Sequence, residues 1–389
     1  MGCIIMSKLS ELIQQYCSDG VIYSTVGKKL GVNRGKRLTK SQLLNNGKYT
    51  VYHGSKYTPL GFYASSNVKG NTTIVVNTGG IGGVKYCEEN FWCSDGSFWI
   101  GHTDDMNDKF VYYWISKFEE WFTTQKRVGG VPTIDRDTVA SIEIPVPPMP
   151  VQEEIVRILD KFTELETELE TELSMRKKQY EYYRDKLLSL EDYEGEVKLV
   201  HCQECTYRLR GSSVTAGYMK NMAVNGGTII IFGGGATRVM TDEEHTSEFK
   251  IITIPSVLVK SRGIVDVEYC DFPYTFKQEM WAYVGKEQLN TKYLYYFLQK
   301  NVQRLRDKSS QMGSMPQIKL DDTNSLEVPI IDMTEQKRIV NILDKFSKLT
   351  TDISEGLPAE IKMRHQQYEY YRDKLLNFKR LEKNSIYIT

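Results

Sequence analysis

Residues Gln179 to Leu188 read QYEYYRDKLL, and residues Gln367 to Leu376 read the same ten letters at an offset of 188. Upstream of each lies another repeated stretch, QEEIVRILDKF from Gln152 to Phe162 and QKRIVNILDKF from Gln336 to Phe346, at an offset of 184. Ten identical residues in a row do not recur by chance, so the chain is an internal duplication and is read as one. The likeness reaches backward into the preceding segments. Asn107-Asp-Lys-Phe-Val-Tyr-Tyr-Trp matches Asn290-Thr-Lys-Tyr-Leu-Tyr-Tyr-Phe, Val84-Lys-Tyr-Cys matches Val267-Glu-Tyr-Cys, and Gly129-Gly-Val-Pro-Thr-Ile matches Gly313-Ser-Met-Pro-Gln-Ile. The order is therefore globule, helix, globule, helix. Lys8-Leu-Ser-Glu-Leu followed by Gly20 resembles Lys186-Leu-Leu-Ser-Leu followed by Gly195, the exit from the first long helix. The chain thus reads as cyclic, and a short N-terminal helix is expected to pack beside the end of the last one.

Between Pro150 and Leu190 no Gly or Pro interrupts the chain, and Pro145, Pro147, Pro148 and Pro150 mark an extended lead-in giving way to helix. Apolar residues recur at steps of three and four in both copies, which defines one sticky stripe on each helix. The stripe predicts a core in which Ile158, Leu159, Phe162, Leu165 and Leu169 of one helix, and Ile342, Leu343, Phe346, Leu349 and Ile353 of the other, find their partners in the opposite copy. At about 1.5 Å per residue, about 40 helical residues span roughly 60 Å. Two such helices paired antiparallel would set two globules at opposite ends about an approximate two-fold axis. The offset grows by four because the second helix holds four more residues before its repeated end. The same region of the first helix is Thr163-Glu-Leu-Glu, Thr167-Glu-Leu-Glu, Thr171-Glu-Leu-Ser, a unit about one turn long. One unit more or less changes the length by about 6 Å with little loss of stripe phase. Its Glu residues equally fit a solvated acidic surface. Gly356 and Pro358 are expected to kink the second helix. The boundaries that follow are 1–148 and 193–332 for the globular segments, 149–192 for the first spacer helix, and 333–389 for the second with its tail.

Net charge is zero, but the acid is unevenly placed: residues 1–149 hold 16 Lys and Arg against 13 Asp and Glu, whereas 150–196 hold 7 against 14. Neither globular segment is strongly basic, so charge alone makes a weak case for nucleic acid. Seven scattered cysteines fit free thiols in a reducing compartment. Cys202 and Cys205, preceded by His201, make half a zinc site with no second half at suitable spacing, so no metal is expected. No apolar run is long enough to span a membrane, and Cys3 to Met6 is too short for a signal peptide. The expected location is the cytoplasm. Met6, which opens a helical run, is a second candidate start.

The globular segments carry short β-type runs such as Thr72 to Asn77 and Ser256 to Lys260, broken by glycine-rich turns, and each ends in a short aromatic helix. This is an α+β pattern. Candidate nucleic-acid contacts are basic and polar residues in turns, because only loops vary without loss of fold. Arg34, Lys36, Arg37 and Lys40 form the best cluster, with Gly35 allowing close approach to phosphates or guanine edges. Arg208 and Arg210 are its weaker counterpart. Lys126, Arg127, Lys260, Arg262 and Arg238 beside the Gly233 to Gly235 turn are further candidates. Each competes with the ordinary role of a surface cation as a solubilising group. Tyr52, His53 and Gly54 align with Asn225, Gly226 and Gly227, a second place for approach to a base, although His53 also fits an ordinary turn histidine.

Catalytic motifs are missing. No phosphate-binding Gly-x-x-x-x-Gly-Lys-Ser/Thr loop occurs, and no Asn/Asp-Pro-Pro-aromatic motif of a base-flipping adenine methyltransferase. Asp192, Glu196 and Lys198 mimic a nuclease set, but the other copy does not keep it. A binding role is expected, not an enzyme.

The Ile-Leu-Asp-Lys-Phe helix start, the Tyr-Glu-Tyr-Tyr-Arg-Asp-Lys-Leu-Leu helix end, the Thr-Glu-Leu units and the Ile144-Pro-Val-Pro-Pro-Met lead-in together resemble the specificity subunit of Type I restriction-modification enzymes. The resemblance implies an α+β chain with two similar α/β target recognition domains, joined by two long antiparallel coiled-coil helices in a pseudo-two-fold cyclic arrangement. Each domain would read one half of a bipartite site on double-stranded DNA, and four-residue units in the spacer would set the gap. Implied partners are two modification (methyltransferase) subunits, which supply S-adenosylmethionine binding, and two restriction subunits that use ATP and Mg and can join them. This chain itself would bind no cofactor. The alternative is a coiled-coil scaffold whose globules bind proteins.

Overall fold

A computed structural model describes residues 2–127, 132–246, 249–312, 315–351 and 356–381. They fall into two units, Met1–Glu170 with Glu360–Thr389, and Thr171–Ala359. The first unit holds an antiparallel sheet in the order Val32–Arg34, Ser97–Ile100, Thr72–Val76, Val84–Cys87. Beside it lie the three strands Gly61–Tyr63, Tyr49–Tyr52 and Trp92–Cys93, the last pair parallel, and a ribbon of Ile22–Thr25 with Glu143–Val146. The second unit repeats this plan. Its sheets run Thr206–Arg210, Trp281–Gly285, Ser256–Lys260, Asp266–Cys270, then Arg238–Thr241, Ile229–Phe232, Tyr274–Phe276, with the ribbon Lys198–His201 and Glu327–Ile330.

The duplication extends to register. Val75 lies opposite Phe98 on one side and Val84 on the other, and Val259 lies opposite Trp281 and Val267. Thr72–Val76 is buried throughout, as a β-branched run without alternation requires of a central strand. A helix closes each sheet. Asn107 caps Asp108–Ser116 by accepting from the amides of Lys109 and Phe110 (3.0 and 3.1 Å), and Asn290 caps Thr291–Lys300 in the same way (2.8 and 3.1 Å).

The first spacer helix is continuous from Met149 to Ser189, 41 residues, and supplies residues to both units. In the first unit it lies antiparallel to Leu357–Leu375: Phe162 stacks on Tyr371 with centroids 5.3 Å apart, and Glu166 meets His365 at 3.2 Å. In the second unit its later turns lie antiparallel to Met333–Thr351. Tyr183 stacks on Phe346 at 5.6 Å, and Leu187 and Leu190 share a cavity with Glu335 and Arg338. The second spacer is thus two helices where the sequence reading has one. Pro358 stands in the first turn of the later helix, where its missing N–H leaves no bond unmade. Ile353 lies outside the described residues.

The apolar stripe needs a second correction. Ile158, Leu159 and Leu343 are buried, Ile342, Phe162, Phe346 and Leu169 half-buried, but Leu165 and Leu349 are 45% and 40% exposed. After Phe162 and Phe346 the packed face takes a step of four, to Glu166 against His365 and to the buried Thr350. Leu165 and Leu349 are one position off that face, where a step of three would have put them on it.

The cyclic closure is present within the first unit. Leu9 of the N-terminal helix Gly2–Tyr16 shares a core with Leu375 and Leu376. Val21 donates to the Lys379 carbonyl at 2.8 Å, and Leu381 donates to the Val21 carbonyl at 2.9 Å. The last helix therefore ends where the first repeated unit begins.

Two side chains of each repeated helix tie it to the short helix that closes the sheet and to the loop before that helix. Gln152 is fully buried; its amide oxygen accepts from Asn107 N–H (2.8 Å), and its amide nitrogen donates to the carbonyls of Pro147 (2.7 Å) and Asp105 (2.9 Å). Gln336, also fully buried, accepts from Asn290 N–H (2.8 Å) and donates to the carbonyls of Ile331 and Gln288 (both 2.9 Å). Two turns on, Asp160 accepts from the Tyr113 hydroxyl (2.6 Å) and Lys109 (3.0 Å), and Asp344 from the Tyr296 hydroxyl (2.5 Å) and Lys292 (2.9 Å). Burial, then the adjoining carboxylate, pushes both phenols far up, so they remain donors.

Replacing Gln152 or Gln336 by Leu leaves one part-buried N–H and two carbonyls short of partners. The expected loss is about 2–4 kcal/mol in chemical unfolding, against under about 0.5 kcal/mol for the exposed Lys161→Ala.

Candidate nucleic-acid interface

Arg34 is the exposed last residue of the edge strand Val32–Arg34, opposite Phe98. The chain then turns tightly over the neighbouring strand. A Cβ on Gly35 would sit 2.0 Å from the Ser94 carbonyl oxygen, so only glycine fits. Lys36 N–H donates to the Cys93 carbonyl at 2.9 Å, and the Trp92 indole N–H donates to the Lys36 carbonyl at 2.8 Å. Leu38 plugs into a small core with Val51 and Trp92, and Thr39 pairs with Gln42 around the turn Lys40–Gln42. This bracket leaves Arg34, Lys36, Arg37 and Lys40 exposed, and none has a side-chain partner among the described residues.

Tyr52 and His53 lie next to the bracket. Ser94 N–H donates to the Tyr52 carbonyl at 2.9 Å, and Gly96 N–H donates to His53 Nδ1 at 3.0 Å, with Asp95 3.4 Å from the same nitrogen. An accepting Nδ1 places the neutral ring's proton on Nε2. Half-buried Tyr52 stands edge-on to Phe91 at 5.6 Å with the Lys85 ammonium 5.5 Å from its ring centre, and burial pushes its phenol up. Arg127 is exposed and ion-paired to Asp135, beside a cleft that Arg34 and Asn77 also line; Lys126 is exposed.

In the second unit Arg208 and Arg210 are exposed on the edge strand Thr206–Arg210. Arg210 lies opposite Trp281 as Arg34 lies opposite Phe98, so register makes these two arginines equivalent. The bracket follows. A Cβ on Gly211 would sit 2.2 Å from the Phe276 carbonyl oxygen, Ser212 N–H donates to that carbonyl at 2.7 Å, Val214 is buried, and Thr215 caps Ala216–Asn221. The shared pattern is Arg-Gly-x-x-Leu/Val-Thr. Its copies stand 176 apart, not 184, and register turns the loose match of the two clusters into a residue-by-residue one.

Register also corrects an alignment. Tyr52 pairs with Cys93, and Phe232 with Phe276, in the parallel strand pair of each unit. The counterpart of Tyr52-His53-Gly54 is therefore Phe232-Gly233-Gly234, and Asn225 lies in the exposed turn before that strand. Arg238 and Lys260 are both committed: each pairs with Glu268, Arg238 at 3.3 Å, and each lies over the Phe232 ring, at 5.1 and 5.5 Å. Arg262 is exposed, and its carbonyl accepts from Gly235 N–H at 2.9 Å. Cys202 and Cys205 are buried free thiols, and Asp192 pairs with Lys186 at 3.0 Å.

Residues 26–175 and 213–363 match the family model described as the Type I restriction modification DNA specificity domain. The Type I restriction enzyme EcoR124I/EcoR124II specificity subunit of Escherichia coli is 36% identical over 296 residues, 70% of this chain and 72% of the relative. The EcoprrI specificity subunit, also of Escherichia coli, is 28% identical over 267 residues, 65% and 64% of the two chains. Among solved structures, the Type-I restriction-modification system S subunit from M. genitalium shares the fold with a TM-score of 0.60, covering 92% of this chain and 96% of that one at 18% identity.

The bracket geometry sets one expectation. Gly35→Ala and Gly211→Ala force backbone apart and should each lower stability by about 1–3 kcal/mol, whereas Gly217→Ala, in open space on a helix, should be neutral or stabilising by up to about 1 kcal/mol, read by thermal unfolding.

Proposed function

The chain belongs to the Type I restriction-modification DNA specificity family, and we propose that it is the non-catalytic subunit that reads a two-part DNA site, one half with each globular segment. The observation that carries this reading is the register-level duplication of an exposed, unpaired arginine bracket on two sheets whose other surface residues differ. One fold used twice with different surface chemistry is what a bipartite, asymmetric site requires.

The partners in this reading are two modification subunits, which bind S-adenosylmethionine and methylate adenine, and two restriction subunits that use ATP and Mg. This chain contributes no cofactor site and works in the cytoplasm. The number two has support on the spacer helices. Met175 and Tyr182 are 60% and 62% exposed, Met363 and Tyr370 64% and 62%, and each pair is spaced seven residues apart on one helix face. Folding alone has no use for large exposed side chains at matched positions, whereas two copies of one partner do. Tyr182→Ala or Tyr370→Ala should each weaken one of two modification-subunit sites by at least about tenfold. Sedimentation of the mixed complex would then show one bound copy in place of two.

The continuous helix Met149–Ser189 supports a fixed gap between half-sites. Deleting Thr167 to Glu170 removes about 6 Å of helix, which should shift the preferred gap by about one to two base pairs at 3.4 Å each. Selection of bound duplexes from a library with variable gaps, by the chain with its modification partner, reads this directly. An unchanged gap refutes the spacer role, and selection of no two-part site refutes DNA reading altogether in favour of a protein-binding scaffold.

A further inference from the structure

Within the bracket, most residues have a job in the fold. Gly35 and Gly211 are there because a Cβ would strike backbone, Leu38 and Val214 because they fill small cores, and Thr39 and Thr215 because they close or cap the next turn. Arg34 and Arg210 have none. Both are exposed, both end an edge strand at the same register, and neither guanidinium has a partner among the described residues. A side chain kept twice without an intramolecular use answers to something outside the chain that is the same at both places.

We propose that Arg34 and Arg210 are matched phosphate anchors, and that Lys36 and Arg37 discriminate bases at the first half-site only. The proposal rests on the reading of the chain as a DNA specificity subunit. Two different half-sites share their sugar-phosphate backbone and not their base edges, so what is common to both domains fits phosphate, which the planar guanidinium grips with two parallel N–H bonds. What differs falls beyond the glycine. Lys36 and Arg37 are exposed and uncommitted, able to reach guanine O6 and N7. In their place the second unit has Ser212, whose hydroxyl is turned into the fold against Thr275 (3.1 Å) and Lys250 N–H (3.3 Å), and the exposed Ser213. The bracket therefore anchors in both domains and reads in one. Arg238 and Lys260, held by Glu268, are not equivalent candidates.

The test uses the chain bound to its modification partner, titrated by fluorescence anisotropy against a selected two-part duplex and a scrambled one over a range of salt. Arg34→Ala and Arg210→Ala should each weaken binding to both duplexes by a common factor of about five to ten, flatten the log-affinity against log-salt slope by about 0.9, and leave the selected sequence unchanged. Arg34→Lys, which keeps the charge, should keep the slope. The double substitution Lys36→Ser with Arg37→Ser should relax or change the bases selected at one half-site and leave the other intact. The inference is overturned if Arg34→Ala alters base preference, if either arginine variant leaves the slope unchanged, or if the double variant changes neither half-site. All four side chains are exposed, so thermal midpoints equal to the parent's establish that the variants fold. Should the unsubstituted complex select no two-part site, the underlying reading fails, whatever the arginines do.

Discussion

A buried glutamine at the start of each repeated helix is the constraint on which the rest depends. Gln152 and Gln336, themselves fully buried, each satisfy one backbone N–H and two carbonyls, so any other placement of the short helix on the repeated one leaves several polar groups short of partners at once. Such a joint is stiff. The Asp160 and Asp344 contacts two turns further on hold a second point of each short helix, and two points fix a rotation that one would leave free.

The same economy organises the surface. Acid is concentrated on the spacer, with 14 acidic against 7 basic residues in 150–196, so zero net charge conceals cationic brackets on the sheets. Counting cations would overstate the interface, because Arg127 is paired with Asp135, and Arg238 and Lys260 share Glu268. Among the described residues, the candidate cations without a carboxylate partner are those on the Arg-Gly brackets and their edge strands, with Lys126 and Arg262. Long-range attraction to a polyanion depends on the uncommitted ones, since an ion pair presents little net field.

Much of the fold was legible because duplication is visible without knowing any structure: the ten identical letters ending in Leu188 and Leu376 declared the helices and their order, and the likeness of Lys8–Leu12 to Lys186–Leu190 placed the N-terminal helix beside the last one. Periodicity was less informative where steps of three and four are both allowed. Leu165 and Leu349 fit the stripe on paper, but the packed face runs on to Glu166 and Thr350, a choice made by the facing helix. The role of Gln152 and Gln336 was invisible, since a polar residue opening an amphipathic helix reads as solvated until the carbonyls around it are located. The sequence offers Arg208 and Arg210 together as the weaker counterpart of the Arg34 cluster, and strand register, which counts residues across the sheet and not along the chain, narrows the match to Arg34 with Arg210.

The proposed reading of a two-part site with a fixed gap is tested most directly by mapping methylated adenine across the genome of a host with and without this chain. Removing the chain should erase methylation at one class of sites, each made of two specified blocks separated by an invariant number of unspecified base pairs. An unbroken motif, or two blocks whose separation varies from site to site, would contradict it.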